Sequence, residues 1–493
     1  MALSRRDFLS YSSAAAILAA WGGPLGLSRA QAAPLAAPRA DDLTYHFLNR
    51  ISYGVRAEDI ERCNQMGVAA YLEEQLNPDS IKSRARFKVS PLLKADRLKA
   101  AKGKDAGFKA RVASVNGMIQ RAANSPAQLY ERMVEFWSDH FNITIDELEP
   151  ELIDFHREVI RKHAFGNFKD MLVGVAKHPA MLYYLDNYLN VKDKPQENYA
   201  RELMELHTIG VDGGYTEQDV KEVARALTGW TVDDEQPGGF YFDPEEHDSE
   251  SKVFLGKFLA AGNGISDGMA VLEYLAGLPQ TAQFICRKLC VRFVSDSPSP
   301  SLVDQIAGVW MSNNGEIKPV LRALLLSDEF NAAINMKFRR PLDWYIAVVR
   351  ATGIEFKDYW YMNSFLEKLG QPPYAWEPPN GYPDVMNAWA NTNGLLERWN
   401  SGYALNEFPL NDKKSGIKTD LLKRLGKPKN TTELIDNASL LVFGKKLDDA
   451  RRADLLAFIT DGKGEYILSK ELQEKKWGSL MALLFASPMF QMR

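Results

Sequence analysis

The sequence predicts an all-α, multi-helix globular protein with long irregular loops and few or no strands. From Asp41 onward apolar residues recur at three- and four-residue spacing in segment after segment, while alternating runs of β-branched residues are nearly absent. Helix-start chemistry punctuates these segments. With 493 residues, 45% of them hydrophobic and 25% charged, the chain can bury the cores of two or three packed subdomains.

Ser125-Pro126 reads as an N-cap followed by proline at the first helical position, and Leu129, Met133, Trp137 and Phe141 then form a stripe. Pro150 opens the next helix, with Leu152, Phe155 and Val159 inward. A third helix is expected over 180–189, and a fourth over 197–209 with Ala200, Leu203, Met204 and His207 as its stripe. Gly213-Gly214 turns the chain. Thr216 with Asp219 three residues on resembles a capping box, and Val220, Val223, Ala224 and Leu227 follow on one face. Over 230–264 the periodicity fails and glycine, proline and acids accumulate, including Pro237-Gly238-Gly239, so a long loop is expected, of the kind that often carries function. Helices resume over 268–330 and 341–353. The tract 370–383 alternates prolines with aromatics and reads as a stiff, extended strap presenting Tyr374, Trp376 and Tyr382. Beyond Asn411 the chain is lysine-rich, then helical from Thr431. Ser327-x-x-Phe330 and Ser487-x-x-Phe490 form a faint internal echo that fits a duplication or, equally, a shared way of stopping a helix.

The N-terminus carries an address. Arg5-Arg6 precedes Phe8-Leu9 and a mildly apolar body ending near Trp21, too short for the roughly 20 apolar residues of a spanning helix. Ala30-Gln31-Ala32 supplies a small-x-small cleavage pattern. A twin-arginine signal peptide over 1–32 is therefore expected, with the mature protein periplasmic or secreted and without a transmembrane anchor. The expected organisation is 1–32 signal peptide, 33–264 an N-terminal helical region with a polar cluster and long loop, 265–410 a central helical region with the proline/aromatic tract, and 411–493 a C-terminal helical region. Three cysteines, Cys63, Cys286 and Cys290, are too few for a disulfide framework and read as thiols, as folding in a reducing compartment before export requires. Cleavage would remove Arg5, Arg6 and Arg29 against Asp7 and make the net charge more negative than −4, which leaves no basic excess for nucleic acid.

Several strings have the wording of a known family. These are the run from His46 to Gly54, Phe136-Trp137-Ser138-Asp139-His140-Phe141, the run from His178 to Asn187, and that from Glu197 to Leu206. Tyr215 to Val220, Ala226 to Trp230, His247-Asp248 and the Gly370-Gln371-Pro372-Pro373 tract before Gly381-Tyr382-Pro383 complete the set. Together they resemble the bacterial family of unknown function numbered eighteen hundred, over nearly all of the mature chain. The resemblance implies a large exported bacterial protein and transfers no catalytic residues. The tract departs from the usual Gly-Trp-Pro by placing Tyr382 between glycine and proline.

The densest polar group lies between His178 and Asp219. On a helix Asn198, Glu202 and Glu205 share a face, and Glu197, Arg201 and Glu205 run along another. Asp186, Asn187 and Asn190 precede them and would face the same space in a helical hairpin. Neighbouring carboxylates in a partly dry cleft have their pKa values pushed apart, as acid/base chemistry needs, and with His207 or His178 they could hold a divalent metal. The same residues also make a surface ion-pair ladder with caps, and both readings stand. His140, His156 and His163 could meet but lack strict metal-ligand spacing. His247-Asp248 in the long loop suits a general base or a metal ligand, and equally a loop hydrogen bond. Cys286 and Cys290 sit on an apolar helical stripe and read as core. Nucleophile-elbow, phosphate-loop, dinucleotide and haem-attachment motifs are absent from the sequence.

Two functions follow. One is an extracytoplasmic hydrolase or lyase on a polymeric or glycan-like substrate, with Glu202, Glu205, His247 and Asp248 as catalytic residues. In that reading Asn198, Arg201, Asp186, Asn187, Asn190, Tyr374, Trp376 and Tyr382 bind substrate, and the cofactor is unidentified, a divalent metal being the type these groups could hold. The other is a non-enzymatic binding or assembly protein of the envelope. The partner is accordingly an extracytoplasmic polymer or an envelope protein.

Overall fold

The computed structural model describes residues 40–81, 88–95, 97–145, 149–233, 235, 239–356, 360–407, 417–418, 421–467 and 470–493. The expected signal peptide, Pro237-Gly238 and residues 411–416 and 419–420 of the lysine-rich stretch lie outside the described residues. The class is all-α. Among the described residues the strands form three two-stranded antiparallel sheets, and no helix is long and apolar enough to cross a membrane. The chain makes two compact units. The first comprises residues up to Glu73, Asn331–Pro372 and Asp384–Arg493; the second comprises Glu74–Phe330 and Pro373–Pro383.

In the second unit the helix Gln128–His140 buries Leu129, Met133 and Trp137 completely. It starts later than Ser125-Pro126 suggests. The Gln128 amide folds back onto the carbonyls of Ala122 (3.0 Å) and Ser125 (2.8 Å), and Ser125 Oγ accepts from the Ala127 amide, so these residues build the turn after helix Ala106–Asn124. Pro150 lies in the helix Glu149–Phe155, which runs on as a π turn over His156–Arg161. The expected helix 180–189 is broken into Pro179–Tyr184 and a 3₁₀ turn Asn187–Leu189, because Asp186 adopts a left-handed conformation with φ 60°. The expected helix 197–209 is Asn198–Glu202 followed by a second π turn, Leu203–His207, whose stripe Ala200, Leu203, Met204 and His207 is fully buried. Thr216 and Asp219 close a complete capping box on helix Glu217–Ala226.

The stretch expected to be a long loop contains two hairpins, Trp230–Val232 with Phe240–Phe242 and Lys252–Phe254 with Lys257–Leu259. Strands of three residues are too short to show alternation in sequence. What fixes the first is burial of Trp230, against which Gly268 packs so closely that a Cβ there would stand 2.5 Å from the indole. The core continues through Trp137, Phe168 and Trp310, with ring centroids 5.9 and 5.2 Å apart in succession. Cys286 and Cys290 are free, fully buried thiols in it, and burial pushes Cys290 up to about 12.

The first unit is tied together by buried guanidinium groups joining segments remote in sequence. Arg50 donates to the Ala333 carbonyl, Arg339 to Asn49 (2.7 Å) and to the Phe490 carbonyl (2.9 Å), and Arg350 to the Gly54 carbonyl (2.6 Å) and Asp59 (3.0 Å). Arg493 pairs with fully buried Asp343 at 3.0 Å. A cleft of about 190 Å³ lies among Tyr45, His46, Arg339, Phe443 and Met489. The Ser-x-x-Phe runs begin helices rather than merely stopping them. Ser327 and Ser487 accept from the amides of Phe330 (3.2 Å) and Phe490 (3.3 Å), at the heads of Asp328–Ala332 and Pro488–Gln491.

Candidate functional site

The acidic face of 197–205 carries an ion-pair ladder. Arg201 grips Glu217 with both arms of its fork (2.8 and 2.7 Å) and reaches Glu197 at 3.4 Å and Glu205 at 3.7 Å, all four side chains being partly or largely exposed. Burial, and then the nearby Glu205 carboxylate, raise the Tyr215 pKa. Glu202 has no hydrogen bond or ion pair among the described residues, and burial followed by the Glu205 charge raises its pKa. Asn198 donates to Asp186 at 3.4 Å. Asn187 and Asn190 are buried and spend their amides on the carbonyls of Trp230 (3.0 Å) and Ala224 (2.9 Å). The structure thus brings Glu202, Glu205 and Arg201 together, and turns Asn187 and Asn190 inward to fix the chain between two helices.

His247 and Asp248 lie in a separate, buried network. His247 Nδ1 donates to the Thr228 carbonyl (2.8 Å), and its Nε2 stands 3.4 Å from Asp267, a residue with no distinguishing mark in sequence. Lys252, fully buried, donates to Asp267 and to the Glu250 carbonyl, each at 2.8 Å. Asp248 is held by Arg225 at 2.7 and 3.2 Å. Burial works against its charge, and those hydrogen bonds outweigh the burial and leave it below its usual range.

Tyr374, Trp376 and Tyr382 belong to a strap fastened to the second unit through its backbone. Ile145 donates to the Tyr374 carbonyl (2.7 Å), Asn142 to those of Trp376 and Pro378 (2.8 Å each), and Tyr184 to that of Glu377. Gly381 has φ 70° and lies so close to the Asp139 carbonyl that a Cβ would stand 1.9 Å from its oxygen, so only glycine seats the strap there. The rings of Trp376 and Tyr382 contact at 5.0 Å, with Trp376 half-exposed.

At the start of this strap lies a group that the sequence did not assemble. Glu131 and Arg161 form a two-armed ion pair at 2.8 Å per arm, and the Arg161 guanidinium lies 5.1 Å above the Tyr130 ring. The Tyr374 ring packs on His156 at 4.4 Å. Ser138 donates its only hydroxyl proton to the Val134 carbonyl (2.7 Å), so it must accept from His156 Nδ1 (3.2 Å). Neutral His156 therefore carries its proton on Nδ1 and a bare lone pair on Nε2. Burial first, then Arg161 and Arg121, push the His156 pKa down to about 3. Burial raises that of Tyr374. Arg121 comes from helix Ala106–Asn124, and its charge acts on both rings; burial and then Arg161 lower its pKa.

Arg121, His156 Nε2 and the Tyr374 hydroxyl have no hydrogen-bond partner among the described residues, and each residue is half-buried. Tyr374 also sits at φ 63°, a conformation a non-glycine residue holds only when its surroundings impose it, and His156 opens a π turn, a distortion frequent at functional sites. The sequence signals were the Trp137-Ser138-Asp139-His140 string and the strap, yet nothing in their spacing joins residues 121–161 to 374. His140 lies elsewhere, between Lys288 (2.8 Å) and the His207 carbonyl (3.1 Å). Among the described residues no three His, Cys, Asp or Glu side chains converge as a metal-holding group.

No curated protein and no solved structure matches the chain. The family model described as "Protein of unknown function (DUF1800)" matches residues 46–492, and with that coverage the chain belongs to the DUF1800 family.

Proposed function

We propose that this is an envelope protein exported by the twin-arginine route that acts on an acidic extracytoplasmic polymer, as a hydrolase or lyase, at the Arg121–His156–Tyr374 site. The observation that carries it is the set of three half-buried polar groups without a hydrogen-bond partner among the described residues, set around one ion pair and beside a strap of aromatic faces. The Arg121 guanidinium feels the Glu131 charge but makes no hydrogen bond or ion pair to a carboxylate among the described residues, and its planar fork matches a carboxylate from outside. Trp376 offers a face on which a sugar ring can stack. Binding tests it. The mature protein is expected to bind polygalacturonate or alginate in a salt-sensitive manner and to ignore dextran, with Arg121→Ala abolishing the preference; equal binding by parent and variant overturns the site. Export has its own test. Replacing Arg5-Arg6 by Lys-Lys is expected to trap the precursor in the cytoplasm, and mature protein in the periplasm at normal levels would contradict the route.

The assembly-protein reading is favoured by a different observation, that the Arg201 ladder and the Lys252–Asp267 network are satisfied by their own partners. A deletion strain separates the two readings. Complementation by Tyr374→Phe at parental abundance supports assembly, and loss of complementation supports an active site.

A further inference from the structure

Among the described residues, the carboxylates of Glu131, Glu135 and Asp154 near the Arg121–His156–Tyr374 site are engaged. Glu131 is held by Arg161 through both oxygens, Glu135 by Arg292 and Arg132, and Asp154 by Arg157 with His178 beside it. Glycoside hydrolysis ordinarily needs two carboxyl groups facing the scissile bond, one to give a proton and one to attack or to activate water. This site presents instead a cation, an imidazole with a bare nitrogen and a phenol. Those three groups suit a different bond-breaking chemistry.

Resting on the acidic-polymer reading above, we propose that the site cleaves by β-elimination. Arg121 pairs with the carboxylate of a uronic acid unit, His156 Nε2 takes the proton from the carbon next to that carboxylate, and the Tyr374 hydroxyl protonates the departing glycosidic oxygen. The carbon–hydrogen electron pair becomes the new carbon–carbon double bond, and the bond to the glycosidic oxygen breaks with its pair on oxygen. No water, oxidant or metal enters the balance. The reaction leaves His156 with an extra proton and Tyr374 without one. The two rings are in contact at 4.4 Å, so a proton returning between them resets the site.

Each group has the state the step needs. The Ser138 hydrogen bond fixes the His156 tautomer with Nε2 unprotonated. Burial and the two arginines keep the ring a weak base. A carboxylate bound to Arg121 cancels part of that charge and raises the ring's basicity when substrate arrives. Burial keeps Tyr374 protonated, so its hydroxyl carries the proton that the departing alkoxide takes.

The experiment uses the full mature protein with polygalacturonate and alginate as probes. It follows reducing ends, the ultraviolet absorbance of the conjugated double bond, and polymer binding. The expected result is that reducing ends and absorbance rise together. Tyr374→Phe and His156→Gln should each lower the rate by about 10²–10⁴-fold while binding stays at the parental level. Melting curves identify a variant that has merely unfolded, and Tyr374→Phe keeps the ring that packs on His156. Reducing ends without absorbance overturn elimination in favour of hydrolysis. Binding without either product overturns elimination and leaves the acidic-polymer reading standing, whereas no binding to either probe overturns both.

Discussion

Asp267→Ala tests whether the buried network around the two hairpins holds that part of the second unit together. Asp267 Oδ2 lies 2.8 Å from the fully buried Lys252 ammonium and 3.4 Å from His247 Nε2, and its other oxygen accepts from Asn263 at 3.1 Å. At 2.8 Å an ion pair is worth roughly 6 kcal/mol at an effective dielectric of about 20, before the cost of removing both charges from water. The alanine variant recovers none of that cost, because Lys252 stays buried, so the expected loss is about 3–5 kcal/mol. Asp267→Asn keeps an acceptor for Lys252 and should lose less. The double variant Lys252→Met, Asp267→Leu removes both charges and should recover most of the stability. Urea unfolding of the full chain, read by tryptophan fluorescence because Trp230 is buried beside the network, gives the differences. A loss under about 1 kcal/mol for Asp267→Ala, or a double variant no better than it, would refute the reasoning.

Acid should weaken the fold through its buried histidines. His156 and His207 fall to about 3 in the folded chain from an unfolded value near 6.5, so the unfolded state binds more protons between those values. Their contribution is full above about pH 6.5 and is lost at ~1.4 kcal/mol per pH unit each as pH falls towards 3. His207→Leu should flatten the dependence of melting temperature on pH between 6.5 and 4.5, and an unchanged slope would contradict it. In the Arg201 ladder, Glu205→Gln should change stability by under about 1 kcal/mol, since the ion pair is half-exposed; complementation by Glu202→Gln measures whether its raised carboxyl works as an acid. Cys286→Ala and Cys290→Ala should each cost roughly 1 kcal/mol or somewhat more as core truncations, and both thiols should resist alkylation until the chain unfolds.

The helical class and most buried stripes were legible because burial on one face of a helix imposes its period directly on the chain. Thr216 and Asp219 announced their cap because that device is complete within four residues. The π turns were not legible, since a single extra residue in a turn changes the period too little to mark, and they shift the faces that carry His156 and Glu205. The hairpins near Trp230 and Lys252 were hidden by their three-residue length. At the candidate site the strap's aromatics stood out by composition. Arg121, Glu131 and Arg161 look like any charged residues on helices, because a charged side chain shows its use only through what packs over it, and the strap arrives from more than two hundred positions away. Asp267 was invisible for the same reason.

The interrupted first unit sets an order on synthesis. Arg50 finds its carbonyl at Ala333, 283 residues later. At about 5–20 residues per second the ribosome needs roughly 15–60 s to deliver that partner. During this time the helix Ala40–Ile51 must keep Phe47, Leu48 and Ile51 from other apolar surfaces, although the finished fold buries all three. The second unit can collapse as soon as Phe330 has emerged, yet its strap follows only with Pro373–Pro383. A nascent chain paused between those points holds a nearly complete helical body without the aromatic cover that supplies Tyr374. Chaperone capture should therefore concentrate on the early N-terminal helix, and stalled ribosomal complexes of increasing length, probed by limited proteolysis, should show the second unit becoming resistant before the first.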